Sequence, residues 1–335
     1  MERRKWILGT AASLGGWLAR DSFAQAPGKV WRVGYLTGVG ATEVMRGPAS
    51  HLGVAFAQGM RELGYIEGQN LVIEWRSASG KMDRLSAVAA NLVALKPDVI
   101  VVAGSQPTSA AQKATSTIPI VMGSSLDPVR DGYVRSLAKP GGNITGLSNM
   151  SGDLGPKYLE LILAALPRLS SLAVMTNPSN TGHAAIFSGI QSAAPKFKVK
   201  VLRVEIQDAQ AFEAAFVSMK RENAGAMFVI VDPVTNFPQA RQTIAQLSLK
   251  HQLPVFSNFR ELIEAGGLMS YGQNLALQFK RAAAYVDKIF KGAKPGDLPV
   301  EQSTRLEMVV NARTAKALGI TIQPEIFLRA DEVIE

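Results

Sequence analysis

Polar loops without reactive groups follow the apolar runs of this sequence. Thr37 follows the first run, and the loops after later runs are Gly104–Ser109, Gly123–Pro128, Asn177–Asn180, Asp232–Asn236 and Ser257–Phe259. Ligands of open α/β sheets bind beyond the carboxyl ends of the strands, so these loops predict a small-molecule site. From them we assign ligand contacts to Thr37, Ser105, Gln106, Thr108, Ser124, Ser125, Asp127, Asp232, Asn236 and Asn258.

The segment Ser105–Thr108 carries the most specific chemistry among these loops. A helix is predicted to start at or near Thr108, and free backbone N–H groups with nearby hydroxyls at a helix start can hold a carboxylate. Ser105 and Thr108 could equally serve as simple helix caps. Asp127 and Asp232 each directly precede a proline, and either could cap a helix or face a ligand ammonium group.

The type of ligand follows from what these loops contain and lack. No pair of arginines stands ready for a phosphate or a dicarboxylate, which favours a small neutral or zwitterionic molecule. Tyr35, Phe259 and Tyr271 could stack on a flat ligand or could pack in the core, and we include Tyr271 in the predicted site.

Catalytic and metal-binding patterns are missing from the sequence. The three histidines lie on separate predicted helices without a metal-ligand partner at suitable spacing, and there is no cysteine. Gly38-Val39-Gly40 lacks the third glycine of a dinucleotide fingerprint, and neither a Gly-x-Ser-x-Gly elbow nor a Walker loop occurs. We therefore expect no metal, no cofactor and no enzymatic activity. An exported hydrolase or isomerase remains the alternative, with Asp127 or Asp232 as its base.

The elements that must position these loops alternate between strand and helix. Apolar runs of strand length occur at Trp31–Leu36, Leu71–Trp75, Asp98–Val102, Pro119–Met122, Leu172–Met175, Val199–Val204, Ala226–Val231 and Pro254–Phe256. Helical spacing of apolar residues separates them, which is typical of βαβ units and doubly wound parallel sheets. Two similar α/β lobes are the prediction, and an eight-stranded barrel is the competing architecture.

The lobe boundaries are predicted from a break in this alternation. Ala138–Gly142 and a short strand, Asn143–Leu147, separate two sets of four units. A long amphipathic helix is predicted at Leu275–Phe290, followed by a strand at Leu306–Val310 and helices at Ala312–Ala317 and Pro324–Ile334. The first lobe is then 30–148 plus 270–298, and the second is 149–269 plus 299–335.

The first 26 residues have the layout of a bacterial export signal. Arg3, Arg4 and Lys5 precede a modestly apolar stretch, and Ala24-Gln25-Ala26 offers a small-x-small cleavage site. The arginine pair resembles a twin-arginine signal, with the general secretion route and a buried first helix as alternatives. The expected location is the periplasm, without a lipid anchor because no cysteine is available for one.

The charge of the chain indicates no nucleic-acid partner. The net charge is +9 at pH 7, but lysines and arginines are scattered rather than gathered in a stripe between aromatic residues. No segment after the leader approaches 18 uncharged apolar residues, so no membrane span is predicted. We expect a monomer.

Several longer segments resemble a known family, the periplasmic substrate-binding proteins of ABC transporters, in the branch that includes tryptophan- and tyrosine-binding members. The matching segments are Met60–Leu71, Ala114–Val121, Pro140–Gly146, Glu264–Gly272 and Arg329–Glu335. The resemblance spans about residues 31 to 335. A departure occurs at Gly104-Ser105-Gln106-Pro107-Thr108, where relatives often have Gly-Thr-Pro-Ala.

The resemblance implies a type I periplasmic-binding fold, with two Rossmann-like lobes joined by three crossovers and a ligand in the cleft between them. It adds Asn149, on the first crossover, to the binding residues. The implied function is a receptor that captures an amino acid or another small carboxylate and delivers it to a membrane permease. A sensory partner protein shares the fold and is the alternative, whereas a cytoplasmic regulator would need a DNA-binding module where the leader stands.

Overall fold

A computed structural model describes residues 29–39, 44–48, 50–149, 154–302 and 305–335, which form two α/β lobes. The predicted export signal lies outside these residues. The strands are β1 (Trp31–Thr37), β2 (Val44–Met45), β3 (Leu71–Ser77), β4 (Val99–Ala103), β5 (Ile120–Ser124), β6 (Ile144–Ser148), β7 (Ser171–Thr176), β8 (Lys200–Glu205), β9 (Ala226–Val229), β10 (Val255–Ser257), β11 (Met269–Gly272), β12 (Glu301–Gln302), β13 (Glu307–Asn311) and β14 (Glu332–Ile334).

Helices alternate with these strands. They are α1 (His51–Glu62), α2 (Leu85–Ala94), α3 (Ser105–Ala114), α4 (Gly155–Ala165), α5 (Gly182–Ala193), α6 (Phe212–Arg221), α7 (Pro238–Lys250), α8 (Arg260–Glu264), α9 (Leu275–Phe290), α10 (Ala312–Ala317) and α11 (Pro324–Arg329). None of the helices in the described ranges combines the length and the apolar character that crossing a bilayer requires.

Each lobe is built on one open sheet. The first sheet has the order β12-β6-β5-β4-β1-β3-β2, and the second has the order β14-β13-β11-β10-β9-β7-β8. Neighbouring strands run parallel except for the pairs β2–β3 and β11–β13. The predicted two-lobed α/β architecture is thus confirmed, and the alternative of a single closed barrel is wrong.

Helices on both faces of each sheet explain why its central strands are almost wholly apolar. The first four residues of β4, Val99–Val102, are all buried, since one face of the sheet packs on α1 and α9 and the other on α2 and α3. In the second lobe α4 and α5 cover one face, and α6 and α7 cover the other. A strand enclosed in this way has no solvent side to which a polar residue could point.

Helix α9 has the bounds that its periodicity predicts, and it belongs to the first lobe. Asn274 caps it, since its Oδ1 accepts a hydrogen bond of 3.1 Å from the N–H of Leu277. Its buried face packs against α1, where Gly59 allows close approach. A Cβ at Gly59 would lie only 2.6 Å from the carbonyl oxygen of Lys280.

The chain passes between the sheets three times, and two of the predicted boundaries need correction. The predicted boundaries put residues from 270 onward in the first lobe, but β11 (Met269–Gly272) pairs with β10 and β13 of the second sheet. Glu301–Gln302 was placed in the second lobe, but it pairs with Leu147–Ser148 in the first sheet. Strands of two to four residues carry too little pattern for their sheet to be deduced.

The end of the chain differs from its prediction as well. The helix predicted at Pro324–Ile334 ends at Arg329, and Glu332–Ile334 forms a parallel edge strand on β13. Asp331 fixes the change of direction, because its carboxylate accepts a 2.8 Å hydrogen bond from the N–H of Met308.

Candidate ligand-binding cleft

A cleft lies between the lobes at the carboxyl ends of the two sheets. Its inner cavity, of about 60 Å³, is lined by residues that follow β1, β4, β5 and β6 in the first lobe and β7 and β9 in the second. Seven of the predicted residues line it, namely Thr37, Ser105, Ser124, Ser125, Asn149, Asp232 and Asn236. Strand ends therefore position this part of the predicted site as expected for open α/β sheets.

The amino end of α3 forms part of the first-lobe wall. The helix begins at Ser105, not near Thr108, and Gly104 before it has a φ of 103°, a left-handed conformation that favours glycine. The N–H groups of a first helical turn have no partner within the helix and carry the positive end of its dipole. Gly104 and Ser105 line the cavity, so an anionic group can approach this helix end.

Thr108 does not contribute to this wall. It lies within α3, is fully buried, and donates its hydroxyl hydrogen bond to the carbonyl oxygen of Gly104 at 2.8 Å. The structure thus brings Ser105 but not Thr108 to the cavity lining, because the helix starts three residues earlier than the turn residues indicate.

Two buried side-chain oxygens in the cleft have no partner among the described residues. These are Oγ of Ser125 and Oδ1 of Asn149, in residues that are only 1% and 8% exposed. The N–H of Asn149 donates to the carbonyl oxygen of Ser125 at 2.7 Å, which holds the two residues side by side. Leaving a buried polar atom unpaired costs about 1–3 kcal/mol, so a molecule in the cavity that hydrogen-bonds to these two atoms would be favoured.

The second-lobe wall is organised around the carboxylate of Asp232. Its Oδ1 accepts hydrogen bonds from Asn177 at 3.1 Å and from the N–H of Val234 at 2.9 Å. Its Oδ2 accepts a bond of 2.9 Å from the amide of Asn180. Asp232 is 2% exposed and reaches the cavity from this network, so it holds two loops together and also presents negative charge to the cleft.

His183 supports this carboxylate in its neutral form. Its Nδ1 accepts a hydrogen bond of 2.9 Å from the N–H of Asn177, so its proton is on Nε2, 3.1 Å from the carbonyl oxygen of Val231. Burial lowers the pKa of His183 below its usual value, although the nearby Asp232 acts in the opposite direction. A neutral His183 adds no positive charge beside the Asp232 carboxylate.

Apolar side chains also contribute to the cavity wall. Leu52, Leu126, Val231, Leu275 and Phe279 line it, the last two from the first turns of α9. The cleft thus combines a helix amino end, a carboxylate on the opposite lobe and an apolar surface between them. This combination suits a zwitterion with an apolar side chain.

A second, outer region of about 600 Å³ is also lined by residues of both lobes. Ser105 and Asn180 line both parts, and the outer walls carry Lys81 and Lys113 on the first lobe and Asp208 on the second. Gln106 lies here and not in the inner cavity. A side chain too long for the inner cavity has a polar region into which it can extend.

Three other predicted residues lie away from the inner cavity lining. Asp127 accepts a 3.0 Å hydrogen bond from the N–H of Arg130 and so caps a turn. Asn258 uses its Oδ1 to accept from the N–H of Val231 at 2.8 Å, beneath the cleft floor. Tyr271 is half-buried and packs against the second-lobe core. The structure shows local hydrogen bonding or packing for each of these three residues, which the sequence also permitted.

Two polar lining residues were not predicted. Asn180 belongs to a strand-end loop that the sequence does identify, and its distance from the end of β7 hid it. Ser50 immediately precedes α1, and its position at the start of an amphipathic helix is the sequence signal that could have identified it as a lining residue. No cluster of histidine or carboxylate side chains suitable for a metal occurs in the part of the chain that the structure describes.

The two lobes touch across the cleft. Arg130 of the first lobe donates to the carbonyl oxygen of Thr181 in the second at 3.0 Å, and the hydroxyl of Thr181 donates to Asp131 at 3.1 Å. Leu126 lies so close to Gly182 that a Cβ there would overlap it. These contacts describe a closed arrangement.

Comparison with known proteins agrees with this geometry. Residues 39–334 match the family model described as ABC transporter substrate binding protein. The chain belongs to this family. It is therefore a solute-binding receptor and not an enzyme, with a small-molecule ligand and a membrane permease as the partners that the family implies. Such proteins work outside the cytoplasmic membrane.

Individual relatives agree with this family assignment. A tyrosine-binding protein of Clostridioides difficile (strain R20291) is 27% identical over 267 residues, which cover 79% of this chain and 75% of that protein. The structure of an ABC domain from Streptococcus pneumonia in complex with L-Trp is 23% identical, with a TM-score of 0.81 over 91% of this chain and 99% of that one.

A third relative differs in its lobe arrangement. The ligand-free, open structure of a substrate binding protein with adhesive properties from Clostridium difficile is also 23% identical and has a TM-score of 0.61, with 91% of this chain and 99% of that one covered. At equal identity and coverage, the described lobes superpose better on the L-Trp complex than on the open structure, as the contacts across the cleft lead one to expect.

Proposed function

We propose that this receptor binds an α-amino acid with an apolar side chain, held by both lobes. The carboxylate lies at the amino end of α3, beside Ser105 and Ser125, and the ammonium group faces Asp232. Leu52, Leu275 and Phe279 receive the side chain. The observation that carries this proposal is the pair of unpartnered buried atoms, Oγ of Ser125 and Oδ1 of Asn149, in a cavity between a helix amino end and a buried carboxylate.

The polarity of the cleft supports a zwitterion over a simple acid or a simple amine. A ligand with only a carboxylate leaves Asp232 facing it without a cation, and a ligand with only an ammonium group leaves the amino end of α3 without an anion. Each missing pair removes a charge-assisted hydrogen bond, which contributes about 1.5–3 kcal/mol. The tyrosine-binding relative and the L-Trp complex support an aromatic side chain.

Calorimetric titration with matched ligands tests this assignment. L-tyrosine and L-tryptophan are compared with L-leucine, with the amine that lacks the carboxylate (tyramine) and with the acid that lacks the ammonium group (3-(4-hydroxyphenyl)propionate). We expect binding of at least one amino acid and at least tenfold weaker binding of both of its truncated forms. Equal affinity for an amino acid and its deaminated acid would contradict the role of Asp232.

A matched pair of variants ties the binding to the cavity. Ser125→Ala removes the unpartnered hydroxyl, and we expect it to weaken amino-acid binding several-fold while leaving the melting temperature of the free protein unchanged or higher. Ser136→Ala, on the surface of the same lobe, serves as control because Ser136, among the described residues, bonds only to Lys139 of its own turn. Unchanged affinity in Ser125→Ala would contradict the proposed carboxylate position.

We further propose that the receptor is a periplasmic monomer that is processed after Ala26. The basic start, the apolar stretch and the Ala-Gln-Ala site support this, as does the absence of cysteine for a lipid anchor. Amino-terminal sequencing of protein from the periplasmic fraction should start at Pro27, and sedimentation should give the mass of a single chain.

A further inference from the structure

A second contact between the lobes joins two side chains that can carry opposite charges. His51 is the first residue of α1 in the first lobe, and Glu261 lies on α8 in the second. Nε2 of His51 is 2.7 Å from Oε1 of Glu261. Ser50 and Leu52, on either side of His51 in sequence, both line the cleft, so the pair sits at its rim.

The two partners differ in how far they are buried. The side chain of His51 is 35% exposed and that of Glu261 only 6%. Burial alone would raise the pKa of Glu261, but the hydrogen bond and charge of His51, with a smaller contribution from Arg241, outweigh it and lower that pKa below its usual value. Oε2 of Glu261 has no partner among the described residues. When the lobes separate, Glu261 loses its contact with His51.

Other charged groups near the pair are already engaged or constant over the relevant pH range. Arg241 on α7 stays protonated and hydrogen-bonds Asn236 at 3.3 Å. On α8 itself, Arg260 and Glu264 bond to each other at 2.8 Å, and Arg260 also binds Glu307 and Glu332. Histidine is the side-chain type whose charge ordinarily changes between pH 5 and 8, and His51 is the histidine in this rim contact.

We propose that the His51–Glu261 pair is a protonation-dependent latch that favours the closed receptor and strengthens ligand binding as the pH falls from 7.5 to 5.5. With His51 protonated, closing forms an ion pair on a buried carboxylate. With His51 neutral, the contact keeps only a hydrogen bond. The latch rests on the proposed function in one respect, namely that closing encloses the ligand.

The size of the effect follows from the closing equilibrium. If the open form dominates without ligand, any factor that favours closing strengthens apparent binding by the same factor. A partly exposed ion pair changes an equilibrium several-fold. We therefore expect ligand affinity three- to tenfold higher at pH 5.5 than at pH 7.5, and the reverse trend is not compatible with the latch.

Lobe closing can be measured without any ligand. The chain has no cysteine, so Ser86→Cys and Gln207→Cys, in exposed residues on opposite walls of the outer cleft, give a unique pair of label positions. Spin-label distance distributions of the free double variant should show a larger short-distance fraction at pH 5.5 than at pH 7.5. Adding His51→Gln, which keeps an N–H donor but does not titrate, should abolish this change.

His251→Gln is the matched control. His251 also pairs with a glutamate, Glu213, at 3.3 Å, but both residues belong to the second lobe and the contact does not cross the cleft. We expect this variant to keep the full pH dependence. A pH response that persists in His51→Gln, or one lost in His251→Gln, overturns the latch.

Binding then separates this proposal from the proposed function. Calorimetry with the amino acid that binds wild type should show the pH-dependent affinity in wild type and His251→Gln only. Binding that is independent of pH refutes the latch and leaves the amino-acid site intact. Failure of all tested amino acids refutes the ligand assignment, while the label distances still decide the latch.

Discussion

Replacing Asp232 with asparagine tests the second-lobe wall most directly, because the two side chains have nearly the same shape. The amide oxygen can keep the place of Oδ1, where Asn177 and the N–H of Val234 donate. The amide nitrogen then faces the donor Asn180 at 2.9 Å. The variant thus loses one charge-assisted hydrogen bond and leaves two donors facing each other in a buried site. Together these two changes cost about 2–4 kcal/mol.

This loss should appear as a lower melting temperature. At about 2 °C per kcal/mol for a large α/β chain, Asp232→Asn is expected to melt about 4–8 °C below wild type in differential scanning calorimetry. Asp208→Asn is the control, since Asp208 is exposed and accepts one bond from the N–H of Gln210, a role that asparagine also fills. It should melt within about 1 °C of wild type.

The same variant separates the structural role of the carboxylate from its role toward the ligand. At a temperature where Asp232→Asn is fully folded, its affinity for the amino acid should fall at least tenfold. Its affinity for the deaminated acid, which has no ammonium group to face Asp232, should change little. A melting temperature equal to that of wild type would refute the network as a source of stability. An equal loss for both ligands would refute the charge assignment.

Two further variants test the packing and the ionisation of the same framework. Gly59→Ala should lower the free energy of unfolding by about 2 kcal/mol or more in urea titrations, because the added Cβ would press on the carbonyl oxygen of Lys280. Gly47→Ala is the control: Gly47 has open space around it, so the free energy of unfolding should change by less than about 0.5 kcal/mol. The lowered pKa of His183 means that the unfolded chain binds more protons than the folded one below about pH 6.5. Stability should therefore decline as the pH falls from 7 to 5, and the decline should be smaller in His183→Gln; an unchanged slope in that variant would contradict a neutral, buried His183.

The sequence predicts the long elements of this fold because burial on both faces leaves a clear pattern. The continuous apolar run of β4 and the helical spacing of α9 both appear in the structure within one residue of their predicted bounds. Strands β2, β12 and β14 were missed, since two or three residues hold no period and are defined by the partner strand that they meet.

The sequence predicts the residues of the cleft less well than it predicts the fold. Strand ends led to Ser125 and Asp232, because topology alone brings such residues to one edge of a sheet. Thr108 and Asp127 carry equally suitable groups, but a shift of the start of α3 and a local turn directed them to the backbone instead. The rim pair of His51 and Glu261 is separated by 210 residues and has no sequence signal of its own.

The three passages of the chain between the sheets have a consequence for how this protein is made. The first sheet needs α9 as cover and β12 as an edge strand, and the second needs β13 and β14 from the last 29 residues. Neither lobe is therefore complete while the ribosome still holds the carboxyl-terminal segment. The two lobes acquire their final cores almost together, through contacts between distant parts of the chain, and such contacts make folding slow. A chain shortened at any point before β14 is left with an unfinished second sheet.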